Sequence, residues 1–118
     1  MSGTSIMLKR VSSESLEILS KTVTAGMALS DADLIFRSLS KEEDTEILLM
    51  VFEKYFFRIG SYAALIIQCI SHGDEQTAAV VGTGGGAGIW NVSYGANNAF
   101  AKDAKSILEK AGFEAYTV

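Results

Sequence analysis

The sequence predicts a two-layer α+β domain: a curved antiparallel sheet with two helices packed on one of its faces. Three observations predict it. The chain has 118 residues, 48% of them hydrophobic, with a net charge of −4. That is the size of one domain, 1–118, and too apolar to be disordered. Between residues 33 and 81 the chain is a succession of branched and aromatic runs separated by short turns, which implies an antiparallel meander. Helical spacing of apolar residues falls outside that region, once before it and once after it.

The elements follow in order. Ser5 to Arg10 reads as a first strand. Ser12 or Ser13 offers an N-cap, and Glu14 and Glu17 suit the positive end of a helix dipole. Leu16, Leu19 and Val23 recur at helical spacing, and Gly26 is placed to stop the helix, which predicts a helix over 13–26. Asp33 to Ser40 alternates imperfectly through Leu34, Phe36 and Leu39 and reads as a strand. Lys41-Glu42-Glu43-Asp44 is the turn after it. Thr45 to Arg58 fits a helical face in places, but its aromatic density and the Gly60-Ser61 break favour a strand. Ser61 to His72 and Gln76 to Val81 are the next strands, joined by a tight turn at Gly73. Gly88 to Tyr94 reads as a last strand or extended segment. Asn97 or Asn98 then caps a closing helix that runs through Lys110, with Phe100, Ala104, Ile107 and Leu108 on its apolar face. Phe113 to Val118 is a tail able to add an edge strand. The order is β-α-β-β-β-β-α.

The two central strands are apolar on both sides. Ile47, Leu49, Val51, Tyr55 and Phe57 oppose Leu48, Met50, Phe52 and Phe56; Ala63, Leu65, Ile67 and Cys69 oppose Tyr62, Ala64, Ile66 and Ile70. A sheet with one wet face alternates apolar with polar. Two helices cover one face, so the other needs a second copy of the chain, an apolar ligand, or the terminal segments. Self-association is the leading reading, with Phe52, Phe56, Tyr62 and Ile66 as its interface residues.

Composition narrows the partners. Ten basic against fourteen acidic residues, with the basic ones scattered, argue against nucleic acid. The longest uncharged stretch, 59–71, is shorter than the roughly 20 residues of a membrane span, and the first ten residues do not look like a signal peptide. One cysteine, Cys69, in an apolar run suits a reducing compartment. The expectation is a cytoplasmic protein that binds neither membrane nor nucleic acid.

Candidate chemistry is sparse. Six of the eleven glycines fall between Gly82 and Gly95. Glycine backbone can cradle an anion ahead of a helix N-terminus. A P-loop lysine is missing, however, and the expected extended segment at 90–94 argues for a wide loop. What remains is a small-molecule or anion site at the Gly82–Gly88 loop, with Gly84, Gly85, Gly86 and a pocket near Trp90, and Glu53 as a further ligand-binding candidate. Glu53 lies in the most apolar strand and needs a partner or a strand-end position. His72, the one histidine, sits at a turn with Asp74 and Glu75. Glu53 or His72 as an acid/base in an enzyme is the third reading. Cys69 reads as a small buried hydrophobe. No catalytic residue, metal site or cofactor is expected.

The run Val51-Phe52-Glu53-Lys54-Tyr55, the hairpin His72-Gly73-Asp74-Glu75, the turn Thr83-Gly84-Gly85, and Trp90 before Gly95 and a final helix occur in that order. Over roughly residues 46–110 this resembles a family of small bacterial proteins classed as a domain of unknown function. The glycine turn is longer here, and the N-terminal third matches little beyond a helix. The resemblance implies a small α+β fold with a curved antiparallel sheet and transfers no catalytic residue.

Overall fold

The computed structural model describes residues 4–57, 60–83 and 90–117, the side chains of 90–97 excepted. The elements are β1 (Thr4–Val11), α1 (Leu16–Ala28), β2 (Asp33–Glu42), β3 (Thr45–Phe56), β4 (Ser61–His72), β5 (Glu75–Thr83), α2 (Trp90–Lys110) and β6 (Glu114–Tyr116). The strands form one open sheet in the order β2-β3-β4-β5-β1-β6. Every pairing is antiparallel. The expected α+β class and element order hold, and the tail adds the edge strand β6.

Both helices lie on one face. Side chains alternate across a strand, so each row of the register belongs to one side. Leu48, Cys69, Ala78 and Leu8 form one such row across β3, β4, β5 and β1, and Met50, Ile67 and Val80 form the next. All seven are buried, together with Leu16, Leu19, Val23 and Met27 of α1 and Phe100, Ala104 and Leu108 of α2.

Polar contacts fix how the helices sit. Ser15, rather than Ser12 or Ser13, is the N-cap of α1, and its Oγ accepts from the Ile18 amide at 3.4 Å. The Leu16 amide donates to Glu46 of β3 at 3.1 Å, which ties the helix start to the sheet. Arg37 of β2 donates to Ser20 Oγ and to Glu17, at 2.7 and 2.8 Å. At the opposite side of the sheet, Arg10 of β1 donates to Gln76 Oε1 and to the Ala111 carbonyl just past α2, both at 2.7 Å. Gln76 in turn donates to the Glu14 carbonyl at 2.8 Å. A guanidinium with this set of acceptors, stacked 4.6 Å from the Phe113 ring centroid, can be buried at tolerable cost.

Two local expectations need correction, and one irregularity finds its cause. Gly26 does not stop α1, which runs on to Ala28. A Cβ at Gly26 would stand 2.7 Å from Ile107 Cδ1, so the glycine lets α1 and α2 approach. The segment from Trp90 to Tyr94 is not extended: α2 begins at Trp90, ahead of Asn97. Trp90, Val92 and Tyr94 are residue types that favour strands, but such preferences are weak against context. Finally, β2 alternates imperfectly because it carries a bulge between Leu34 and Phe36. Leu34 opposes Phe52 and Phe36 opposes Val51, so the extra residue sends Leu34 and Phe36 to opposite faces.

Candidate functional site

The helix-free face of the sheet is the candidate site. The register gives its rows from one end to the other. Glu42, Thr45, His72, Glu75 and Val11 form the first; Ser40, Ile47, Ile70, Thr77, Lys9 and Glu114 the second. Leu49, Gln68, Ala79, Met7 and Tyr116 follow, next to Ser38 of β2. Phe36, Val51, Ile66 and Val81 lie side by side in the fourth. Asp33, Glu53, Ala64 and Thr83 make the fifth, and Tyr55 faces Tyr62 at the far end.

The centre of this surface is apolar and wet. Phe36, Ile47, Tyr55, Tyr62 and Ile70 are exposed, with Tyr62 at 53%. Leu49, Val51, Ile66 and Val81 are half-buried only by one another and their neighbours. Tyr55 packs edge-on against both Phe57 and Tyr62, at 5.1 and 5.2 Å between ring centroids. Among the described residues, charged groups stand at the margins apart from Glu53, which is opposed directly by Asp33 at the start of the edge strand β2.

The four expected interface residues divide between two faces. Phe52 is 0% exposed beneath the helices. Phe56 is half-buried on the same side, its ring 5.7 Å from that of Phe100. Tyr62 and Ile66 lie on the open face. Phe52 and Phe56 are therefore core residues, and the four do not make one surface. Spacing within each strand separated the two sides correctly; the inter-strand register, which decides which sides join, was not legible in either strand alone. Phe36 was missed as a member of the open face because the bulge hides its parity.

The remaining candidates scatter. Gly84, Gly85 and Gly86 lie outside the described residues, as does the Trp90 side chain. The start of α2 at Trp90 does remove the objection that no helix follows the glycine tract. His72 is exposed at the end of β4, with Nδ1 2.9 Å from Thr45 Oγ1 and 3.7 Å from Asp44. Its neighbours are thus Thr45, Asp44 and the cross-strand Glu75. The hollow beside it, lined by Ser40, Lys41, Glu42, Asp44 and Thr45, is broad and open to solvent. Glu53 is half-buried on the open face and opposes Ala64, eight residues along β4 from His72. Eight residues at about 3.3 Å each put these two groups about 26 Å apart, too far to act on one substrate atom. Cys69 is 0% exposed. Burial pushes its thiol up to about 12, against a smaller opposing pull from the Arg10 guanidinium. A thiol held protonated and dry is no nucleophile. Among the described residues no three His, Cys, Asp or Glu side chains are grouped to hold a metal ion, and no helix is long and apolar enough to cross a membrane.

The chain belongs to the Family of unknown function (DUF6054), whose model matches residues 1–112. No curated protein and no solved structure matches it.

Proposed function

We propose that this protein is a non-enzymatic domain that self-associates through the helix-free face of its sheet. The observation that carries the reading is the apolar centre of that face, where Phe36, Val51, Ile66 and Val81 run side by side across four strands. Five strands about 4.8 Å apart and roughly ten residues long present a face of about 800 Å². That is about what one partner contributes to a standard protein interface. The apolar centre is part of that face, and a contiguous exposed apolar patch of this kind marks an interaction surface.

The sheet edges support the same route. β2, the long edge, carries a bulge and the charged residues Asp33, Arg37, Lys41 and Glu42, and β6, the other edge, has three residues. Both are devices against edge-to-edge pairing. The face has no equivalent guard over its centre. Two sheets packing face to face bury about this area and interdigitate side chains like these. A cytoplasmic setting goes with the reading, since a lone buried cysteine fits a reducing compartment.

The test is mass in solution, by sedimentation and native mass spectrometry, on the wild type and on Ile66→Asp. The expected result is an assembly heavier than the 12.6 kDa chain, reduced to a folded monomer in the variant. A wild type that stays monomeric at every concentration and pH overturns the proposal. A bound mass of a few hundred daltons on each chain would put a ligand on the face instead.

A further inference from the structure

Among the described residues, Glu53 is the charged group that stands inside the apolar part of the open face, and Asp33, at the start of the edge strand β2, opposes it. Glu53 is half-buried, and its neighbours along the open side of β3 are Val51 and Tyr55. Asp33 of β2 sits directly opposite it, and Ala64 of β4 flanks it on the other side. Like charges placed directly opposite on paired strands repel. Arg58 lies outside the described residues, and the two described cations nearest in sequence face elsewhere. Lys54 reaches over the Phe56 ring at 5.0 Å, and Arg37 is held by Glu17 and Ser20 under α1. Among the described residues neither carboxylate has an ion-pair partner. The other described charged groups of this face stand at its far rows: Lys9 and Glu114 on β1 and β6, and Glu42, His72 and Glu75 at the end opposite Glu53.

We infer that the Asp33–Glu53 pair makes self-association through this face acid-dependent: ionised, the pair holds two copies apart, and protonation lets them join. The inference rests on the self-association reading and adds its regulation. A face-to-face pair related by a two-fold axis uses the same patch twice, so each copy brings both carboxylates to the contact. Burying an ionised carboxylate without a partner is costly, and the cheap alternative is to take up a proton. The assembled state therefore binds more protons than the separate chains. By linkage, association strengthens as pH falls toward the carboxylate range and weakens as pH rises out of it. His72 lies at the other end of the face, so its contribution can be separated.

The experiment is sedimentation equilibrium of the full chain at about pH 7.5 and about pH 5, on the wild type, on Asp33→Asn/Glu53→Gln and on His72→Gln. The amides keep the side-chain shape and remove the repulsion, so the double variant is expected to fold. The wild type should associate at least about tenfold more tightly at the lower pH. The double variant should associate at the higher pH as tightly as the wild type does in acid, with little further change, and His72→Gln should behave as the wild type. A double variant that keeps the wild-type pH dependence overturns the inference, as does loss of that dependence in His72→Gln. A wild type that associates equally at both pH values ends the acid dependence and leaves self-association standing. If wild type and double variant are both monomeric throughout, the self-association reading falls, and this inference with it.

Discussion

Ile66 and Ile67 are neighbours on β4 with the same side chain. Ile67 is 0% exposed, between Met50 and Val80 and under the helices. Ile66 lies between Val51 and Val81 on the other face and is only half-buried. One step along a strand changes the side of the sheet, and only one side has a second layer. An apolar side chain therefore does not say whether it is core. What it meets across the sheet decides, and the open face has the composition of a core without the layer that would make it one.

The sharpest way to break this comparison is to truncate both isoleucines and measure denaturant unfolding of dilute, monomeric protein. Ile67→Ala should cost about 2–5 kcal/mol, the range for opening a cavity in a packed core. Ile66→Ala should cost less than about 1 kcal/mol, since its site is already open to water. Equal losses would mean that the open face is covered even in the dilute protein. Raising the protein concentration should increase the cost of Ile66→Ala and leave that of Ile67→Ala unchanged.

The covered face also carries its own polar edge, and Arg10 tests it. Its side chain is 6% exposed and joins β1, β5 and the end of α2. Arg10→Ala should destabilise the monomer by about 2–3 kcal/mol, because Gln76 Oε1 and the Ala111 carbonyl lose a charged donor inside the fold. A loss under about 0.5 kcal/mol would show that water replaces the guanidinium without penalty.

The same contrast explains how far the sequence could be read. The α+β class, the strand order along the chain and the doubly apolar strands were all legible, because each depends on local pattern. The joining of sides was not. It depends on register, and register is a relation between strands. Phe52 and Ile66 read alike until their partners, Leu65 and Val51, are known. The bulge at β2 was visible only as poor alternation through Leu34, Phe36 and Leu39. Arg10 looked like one more scattered cation because its acceptors lie 66 and 101 residues away. Residues 90–94 were expected to be extended and are the start of α2, since local preference there yields to context.

A finer probe of the covered face is the titration of Cys69. Its thiol, held up to about 12 in the folded chain by burial against an ordinary 9.0, stays protonated while an unfolded thiol ionises. The unfolded state then binds fewer protons, so stability falls as pH rises from about 9 toward 12. The readout is the difference between the wild type and Cys69→Ala, which isolates the thiol. Between about pH 8 and pH 10 the wild type should lose about 1 kcal/mol more than the variant. Parallel pH profiles would mean that water reaches the sulfur, and that the covered face is less dry than its geometry implies.

The smallest effect concerns how closely the covering layer is fitted. Gly26 lies inside α1, where alanine would ordinarily stabilise a helix by up to about 1 kcal/mol. Here the added methyl would press on Ile107 of α2, whose Cδ1 and Cγ1 stand 2.7 and 2.9 Å from the Cβ position. The two terms oppose each other. Ile107 is a flexible side chain on the rim of the core and can yield at modest cost, so Gly26→Ala should change stability by less than about 1 kcal/mol. The sign of the helix term emerges when the obstacle is removed. In an Ile107→Ala background, Gly26→Ala should be stabilising by about 0.5–1 kcal/mol, and the coupling between the two positions should be of that size. Additive effects would mean that α1 and α2 are not held at this distance and that the helical layer slides on the sheet. A measurable coupling would confirm a fitted lid on one face, against which the uncovered second face stands as the anomaly to be explained.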